Sequence, residues 1–397
     1  MGAEPFIVLE IGTSKICAIA AKLNQNNSFD VIGVSNEPAC GIRKGEIINL
    51  DLVSESLKHV IQNLEECAGI SIGSVDITFS GAHIQSTPRQ GVIQILDVEH
   101  GVTQDDMNLA VNAAMAGRLP EDRIILQPIV QQYKVDNQNG VSNPKKMLGS
   151  MLTVDLLMLH AKANSIFNIN TTLENLGIDV TDYHFNAMSS AYSVVTAEQK
   201  KCGVLVIDIG AGTTDFVVYV DQRVVTTGVL AVGGDHVTND IVSAFTISQK
   251  SAEQLKCQSG SALTDSSTQL EKISVPAGMG FRACSIPLSD LNIVINARMD
   301  ELFRMIQDEL GKDLLLSLGA GVVLTGGGAK LKNVTRCAER IMGLPCSVGT
   351  PFSISGLTSA YQSPEFASPI GMLYYSSQNV PGNEGLIRKF FKWVKAL

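Results

Sequence analysis

No C-x-x-C pair occurs among the eight cysteines, Cys17, Cys40, Cys67, Cys202, Cys257, Cys284, Cys337 and Cys346, and no histidine cluster stands near them to complete a metal site. A reducing cytoplasm fits this pattern. Cys17 and Cys284 lie in apolar runs, where a thiol acts as a small buried hydrophobe. No apolar run approaches the roughly 18 residues of a membrane-spanning helix; the richest, Leu156 to Leu159, is flanked by Asp155 and His160. The first residues, M-G-A-E-P, lack a basic patch followed by an apolar core, so signal-directed export is not expected. Positive charge is the scarcer sign: 30 Lys and Arg against 39 Asp and Glu leave a net charge of −9. No nucleic-acid partner is expected, and any contact with an anionic surface must be local. What is present is ample material for a core, 45% hydrophobic residues in a chain of 397, enough for several domain-sized units.

The chain repeats itself. Residues 6 to 21 read FIVLEIGTSKICAIAA and residues 204 to 219 read VLVIDIGAGTTDFVVY; they align without a gap, at about half the chain length. Each copy is an apolar β-rich run ending in a carboxylate (Glu10, Asp208), then Ile-Gly, then small or hydroxyl residues, then a second apolar run. This predicts strand, tight turn, strand. A Rossmann fingerprint would need a third glycine opening a helix, and no G-x-x-x-x-G-K-[ST] occurs.

A phosphate-binding hairpin remains. Gly12, Gly210 and Gly212 let backbone N–H groups approach phosphate closely. Thr13, Ser14, Thr213 and Thr214 add hydroxyls, and Lys15 adds a positive charge. Glu10, Asp208 and Asp215 would repel phosphate directly, so their sensible role is to hold hydrated Mg²⁺. One such hairpin alone reads better as an ordinary β-turn; two at half-chain spacing favour the phosphate site. A third element, V-V-L-T-G-G-G-A-K-L from Val322, reads as a buried strand, a turn at Gly326, Gly327 and Gly328, and a helix start. Its bare backbone suits a flat base or ribose.

These segments resemble the actin, Hsp70 and sugar-kinase superfamily, and within it the FtsA family of bacterial cell-division actin homologues. Asn186 to Val194 is similar to that family's first connecting helix, and Ser368 to Leu373 to its second; Ala231 to Asp235 and Ser353 to Thr358 add further matches in order. The resemblance implies an α/β, duplicated two-lobe ATPase fold that binds ATP and Mg²⁺, with Gly234 near the phosphates and Glu253 and Lys256 beside ribose and adenine. The same pair also reads as a solvated i,i+3 ion pair. Where actins place a Gln or Glu that orients attacking water, this chain has Asn186, whose amide cannot act as a base, so slow hydrolysis is expected.

By the same resemblance the chain divides into a first lobe (1–82 and 163–196), an inserted small α+β subdomain (83–162), a second lobe (197–235 and 318–375) with its own subdomain (236–317), and a linker (376–384). The insertion is also readable locally. Thr103 caps a helix with Asp106 at the third position, strands run around 124–133 and 152–159, and 136–150 reads as a loop.

Residues 385 to 397, GLIRKFFKWVKAL, wind into two arcs: Leu386, Ile387, Phe390, Phe391, Trp393, Val394 and Leu397 on one, and Arg388, Lys389, Lys392 and Lys395 on the other. That is the pattern of a basic amphipathic helix lying in a bilayer interface. A terminal helix docked on the body has the same periodicity, but the helix-breaking linker and four cations on an acidic protein favour the membrane. The family resemblance implies a peripheral protein on the cytoplasmic face of the bacterial inner membrane at the division septum. There it would polymerise with itself, bind the FtsZ C-terminal tail through 236–317 (best at Asn296 to Ile306) and recruit later divisome proteins. Two rivals share the superfamily: a small-molecule kinase, for which no carboxylate base can be assigned, and a pilus-assembly protein that binds a partner's peptide.

Overall fold

A computed structural model describes residues 5–24, 28–264, 270–278 and 280–378. The amphipathic segment 385–397 and most of the linker lie outside the described residues. Strands β1 (Phe6–Ile11), β2 (Lys15–Leu23) and β3 (Phe29–Pro38) form a meander. A short hairpin, β4 (Ile42–Arg43) and β5 (Glu46–Ile47), precedes helix α1 (Leu50–Ala68) and strand β6 (Ser74–Phe79), which pairs parallel to β1. Asn49 caps α1, and Gly69 ends it in the left-handed conformation.

The chain then leaves the lobe for β7 (Gln85–Gln94), α2 (Gln104–Met115), β8 (Arg123–Val135), β9 (Gln138–Val141) and β10 (Met151–Lys162), a four-stranded sheet ordered β7-β10-β8-β9. The predicted capping box is present, Thr103 and Asp106 bonding each other's backbone N–H. The expected loop 136–150 contains strand β9, because Asp136, at φ 49°, turns the chain back within two residues. The chain returns through α3 (Ala163–Glu174) and β11 (Asp179–Phe185), which completes the first sheet in the order β11-β6-β1-β2-β3.

Helix α4 (Asn186–Val194) crosses to the second lobe, where α5 (Ala197–Cys202) precedes β12 (Val204–Ile209), β13 (Thr214–Val220) and β14 (Arg223–Leu230). After them come α6 (Gly234–Phe245), α7 (Gln249–Gln258), the ribbon β15 (Lys272–Val275) and β16 (Cys284–Pro287), and α8 (Leu288–Leu310). Then follow α9 (Lys312–Leu316), β17 (Val322–Thr325), α10 (Val334–Met342), β18 (Cys346–Val348) and α11 (Ala367–Gln378). The second sheet runs β14-β13-β12-β17-β18, the same topology as the first with a parallel partner again beside the leading strand. The two lobes are thus copies in connectivity as well as in sequence.

The strand sequences are continuous apolar runs because both faces are covered. In β1, Ile7, Leu9 and Ile11 face the core shared with α1 and α3, while Val8 faces Phe29, Ile370 and Leu373 on the other side. In β12, Val204 and Val206 join the first core, and Leu205, Ile207 and Ile209 join the second lobe's core with Met299, Leu302 and Phe303 of α8. Helices α4 and α11 cross at the centre. Gly371 makes that crossing possible, since a Cβ there would enter the Ser189 carbonyl oxygen.

Candidate functional site

Both repeat hairpins close with the same bond. Gly12 N–H donates to Lys15 O at 3.0 Å, and Gly210 N–H donates to Thr213 O at 2.9 Å. Their registers also correspond, Ile11 opposite Ile16 and Ile209 opposite Thr214. The two tips face each other, and a Cβ on Gly212 would lie 2.9 Å from Lys44 Cα and against Thr13 Oγ1. Between the lobes lies a cavity of about 970 Å³, lined by residues 10–15 of the first hairpin, 208–213 and Asp215 of the second, and Gly326, Gly327 and Gly328.

The cavity is acid-lined. Burial pushes the Asp208 carboxyl up to about 6, a shift that the hydroxyl donated by Ser190 opposes and the nearby Glu10 reinforces. Asp215, directly across the strand pair, is raised well above the usual carboxylate range by burial and then by Asp208, against a hydroxyl bond from Ser80. Lys15 lies against Glu10 as an ion pair; burial would lower its ammonium, but the carboxylate outweighs that and raises it. At this end of the cavity three carboxylates surround one committed lysine, which leaves it locally short of positive charge. Their all-oxygen donor set suits a hard divalent cation. Among the described residues no three His, Cys, Asp or Glu side chains converge closely enough to chelate a metal directly, so such a cation fits only with its waters retained.

The expected residues are mostly brought together. Gly12, Thr13, Ser14, Lys15, Gly210, Gly212, Thr213, Gly234, Glu253 and Lys256 all line the cavity. Thr214 does not: its hydroxyl donates to Val232 O at 2.8 Å, outside the cavity. Asp215 faces the cavity, and successive strand residues point to opposite faces. Gly234 opens α6, but its N–H is taken by Gly210 O at 2.9 Å, so it offers proximity and no donor. Glu253 and Lys256 are ion-paired at 2.7 Å, as the solvated-pair reading had it, yet the lysine is largely buried and also reaches Gly234 O at 3.1 Å.

The glycine turn differs from expectation. Gly327–Lys330 form a 3₁₀ turn, and the helix starts only at Val334, after Asn333 adopts the left-handed region at φ 58°. Gly326, at φ 79°, lies against the Asp208 carboxylate, whereas Gly327 has open space where a side chain would be. Asn186, at the start of α4, lines the cavity with its Oδ1 accepting hydroxyl bonds from Thr78 at 2.8 Å and Ser368 at 3.0 Å. Sequence reasoning missed Ser80, Ser190 and the Lys44–Gly45 turn. Ser80 and Gly45 line the cavity, Ser190 reaches it only through its bond to Asp208, and Lys44 points away to a neighbouring pocket; each position is set by tertiary packing.

Two family models match. One, cell division protein FtsA, covers residues 205–371, and the other, the SHS2 domain inserted in FtsA, covers residues 81–160. The chain is similar to the cell division protein FtsA of Pseudomonas aeruginosa, 33% identical over 371 residues, 93% of this chain and 88% of that protein. Among solved structures, a PilM–PilN type IV pilus biogenesis complex shares the fold at TM-score 0.69 and 16% identity, covering 94% of this chain and 98% of that one. MreB5 of Spiroplasma citri bound to ADP does so at TM-score 0.58 and 15% identity, covering 96% and 99%.

Proposed function

Because the chain belongs to the cell division protein FtsA family, we propose that it is an actin-like cell-division protein that binds Mg·ATP between its lobes, polymerises, and ties FtsZ filaments to the membrane. The observation that carries the nucleotide reading is the pair of matching hairpins facing each other across one cavity. In this reading the backbone of both tips and the Thr13, Ser14 and Thr213 hydroxyls hold the phosphates, and Gly326, Gly327 and Gly328 bed the nucleoside. Glu253 and Lys256 flank it. Glu10, Asp208 and Asp215 would hold Mg²⁺ through water, and the bound ion would neutralise charge between carboxylates and phosphates.

Asn186 is the residue placed to orient water. Its Oδ1 is committed to two hydroxyls, so it offers water no proton acceptor. Hydrolysis is therefore expected to run far below the ordinary enzymic turnover of about 1 s⁻¹ or more, with nucleotide acting mainly through lobe closure.

Thermal denaturation tests the site. Saturating Mg·ATP raises the melting temperature, by linkage worth about 2.7 kcal/mol at a hundredfold excess over Kd. A Cβ on Gly327 has no heavy atom within 4 Å, so Gly327→Leu should fold normally, extend into the bed of the nucleoside and lose that shift. An undiminished shift in this variant would contradict the assignment.

Attachment to membrane is supported by the amphipathic pattern of 385–397. The partner-binding face is assigned to the subdomain around α8. Met299, Leu302, Phe303 and Ile306 are buried in its core, so the contact would use the opposite face, which includes the exposed Ile293 and Met305. The pilus relative shares the fold at 16% identity, whereas sequence identity runs through almost the whole chain to FtsA, which favours the division role.

A further inference from the structure

Beside the main cavity, on the far side of the second hairpin's tip, is a smaller one of about 380 Å³ lined by Arg43, Lys44, Gly212, Asp235, His236 and Asn239, among others. It shares Gly212, Asp235 and Gln249 with the main cavity, so the two adjoin along the tip of the second hairpin. Its cations come from the β4–β5 hairpin of the first lobe. Among the described residues neither the Arg43 nor the Lys44 side chain has a hydrogen bond or ion pair. Glu46, the cross-strand neighbour of Arg43, lies instead 3.5 Å from the His83 ring.

The turn that presents these cations is held in a costly shape. Lys44 and Gly45 have φ of 52° and 72°, the two left-handed residues of a turn that Asn-Gly would fill without strain. The tip is nevertheless pinned: Gly45 N–H donates to Thr13 Oγ1 at 3.0 Å, Lys44 O accepts from Ala82 N–H at 3.3 Å, and Gly212 packs on Lys44 Cα. A lysine is thus fixed where both phosphate hairpins meet. Across the cavity, His236 Nδ1 accepts from Gly233 N–H at 3.1 Å, which leaves its ring proton on Nε2 as a donor. Burial, then Lys44 and Arg298, hold this imidazole below its usual range, so it is neutral at pH 7. The N–H groups of Gly234, Asp235 and His236 at the start of α6 already bond Gly210, Ala211 and Gly233 carbonyls; an anion here would rely on side chains. Asp235 is the one acidic wall, and it stands on the side shared with the main cavity.

We propose that this antechamber is an orthophosphate site, in which Arg43 and Lys44, with the imidazole N–H of His236, receive the phosphate that leaves the nucleotide cavity past Gly212. The proposal rests on the nucleotide reading above, and it adds a station that the two hairpins do not provide. Two charge-assisted donors with no other partner, beside a neutral donor, match the tetrahedral dianion.

The test uses the full chain saturated with Mg·ADP, which fills the main cavity except for the terminal-phosphate position, titrated with inorganic phosphate and followed by phosphorus-31 line broadening; phosphate taken up at that position would be bound equally by a double variant without the two cations. Wild type is expected to bind phosphate saturably at about millimolar or tighter, and Arg43→Gln with Lys44→Asn to weaken that by about tenfold or more. The ADP affinity of the double variant should stay within about twofold. Lys44→Asn suits the left-handed turn and should fold; Lys44→Arg keeps the charge and should keep the phosphate. No saturable phosphate binding by ADP-loaded wild type, or equal binding by the double variant, would overturn the antechamber. If ADP itself does not bind, the nucleotide reading fails instead, and the same comparison of wild type with the double variant, made without ADP, still decides the phosphate site.

Discussion

Asp208 and Asp215 store unfavourable electrostatics in the cleft. Their folded pKa values lie above the unfolded value of about 3.9, Asp208 at about 6. Over this range the native state holds more protons than the unfolded chain, so stability of the nucleotide-free protein is expected to fall as pH rises from about 4 through about 6, where Asp208 titrates, and to go on falling until Asp215 has ionised too. Asp215→Asn keeps a group for Ser80 to bond and removes one buried charge. It should raise the ligand-free melting temperature by about 2–4 °C, the equivalent of roughly 1 kcal/mol, and abolish the magnesium-dependent part of nucleotide binding. Calorimetry with and without Mg²⁺ checks both; a lower ligand-free melting temperature would show that the carboxylate stabilises the fold. That Glu10, Asp208 and Asp215 converge on one cavity was readable in advance, because carboxylates embedded beside glycine turns in otherwise apolar strands are conspicuous. Thr214 was misplaced because hydroxyls were counted by proximity in sequence, although the strand's period of two already sets it opposite Asp215.

At the scale of elements, the two hairpins were legible because each rests on local pattern, apolar runs about a glycine turn, whereas the two crossing helices were legible through their resemblance to the family's connecting helices. The β9 strand was not, because its turn is an Asp-Asn pair in a polar stretch that reads as loop. Likewise, the start of α10 was placed too early, since nothing after Gly328 signals a 3₁₀ turn. The contact of α4 with α11 is the joint through which both lobes meet. Ser193 Oγ donates to Ala367 O at 2.6 Å, and Thr78, Asn186 and Ser368 share hydroxyl bonds beside it. Gly371→Ala forces a methyl into the Ser189 carbonyl. A loss of about 2 kcal/mol or more is expected in chemical denaturation; an unchanged midpoint would mean that the helices separate at no cost.

The whole molecule couples these parts through the inserted subdomain, which is bonded to both lobes. It leaves the first lobe beside Ser80, which touches Asp215 and Thr213 in the cleft. It also reaches the second lobe, where Ser86 Oγ donates to Thr227 O at 2.9 Å and Gln131 Nε2 to Val225 O at 2.6 Å. Closing the lobes on a ligand must therefore shift the insertion as well. Membrane attachment belongs to this scale too. In the proposed reading one short tail with four cations, at roughly 1 kcal/mol each near an anionic leaflet, would bind reversibly, and assembly into filaments would multiply that attachment. Deleting residues 385–397 is expected to abolish co-sedimentation with anionic vesicles while leaving Mg·ATP binding intact; persistent vesicle binding would place the anchor elsewhere.

The most direct test of the nucleotide reading is the electron density of a crystal grown with Mg·ATP. The triphosphate is expected between the tips at Gly12 and Gly212, with the adenosine against Gly327 and a hydrated ion facing Asp208 and Asp215. Nucleotide bound anywhere else, with these two tips in contact only with each other and solvent, would contradict it.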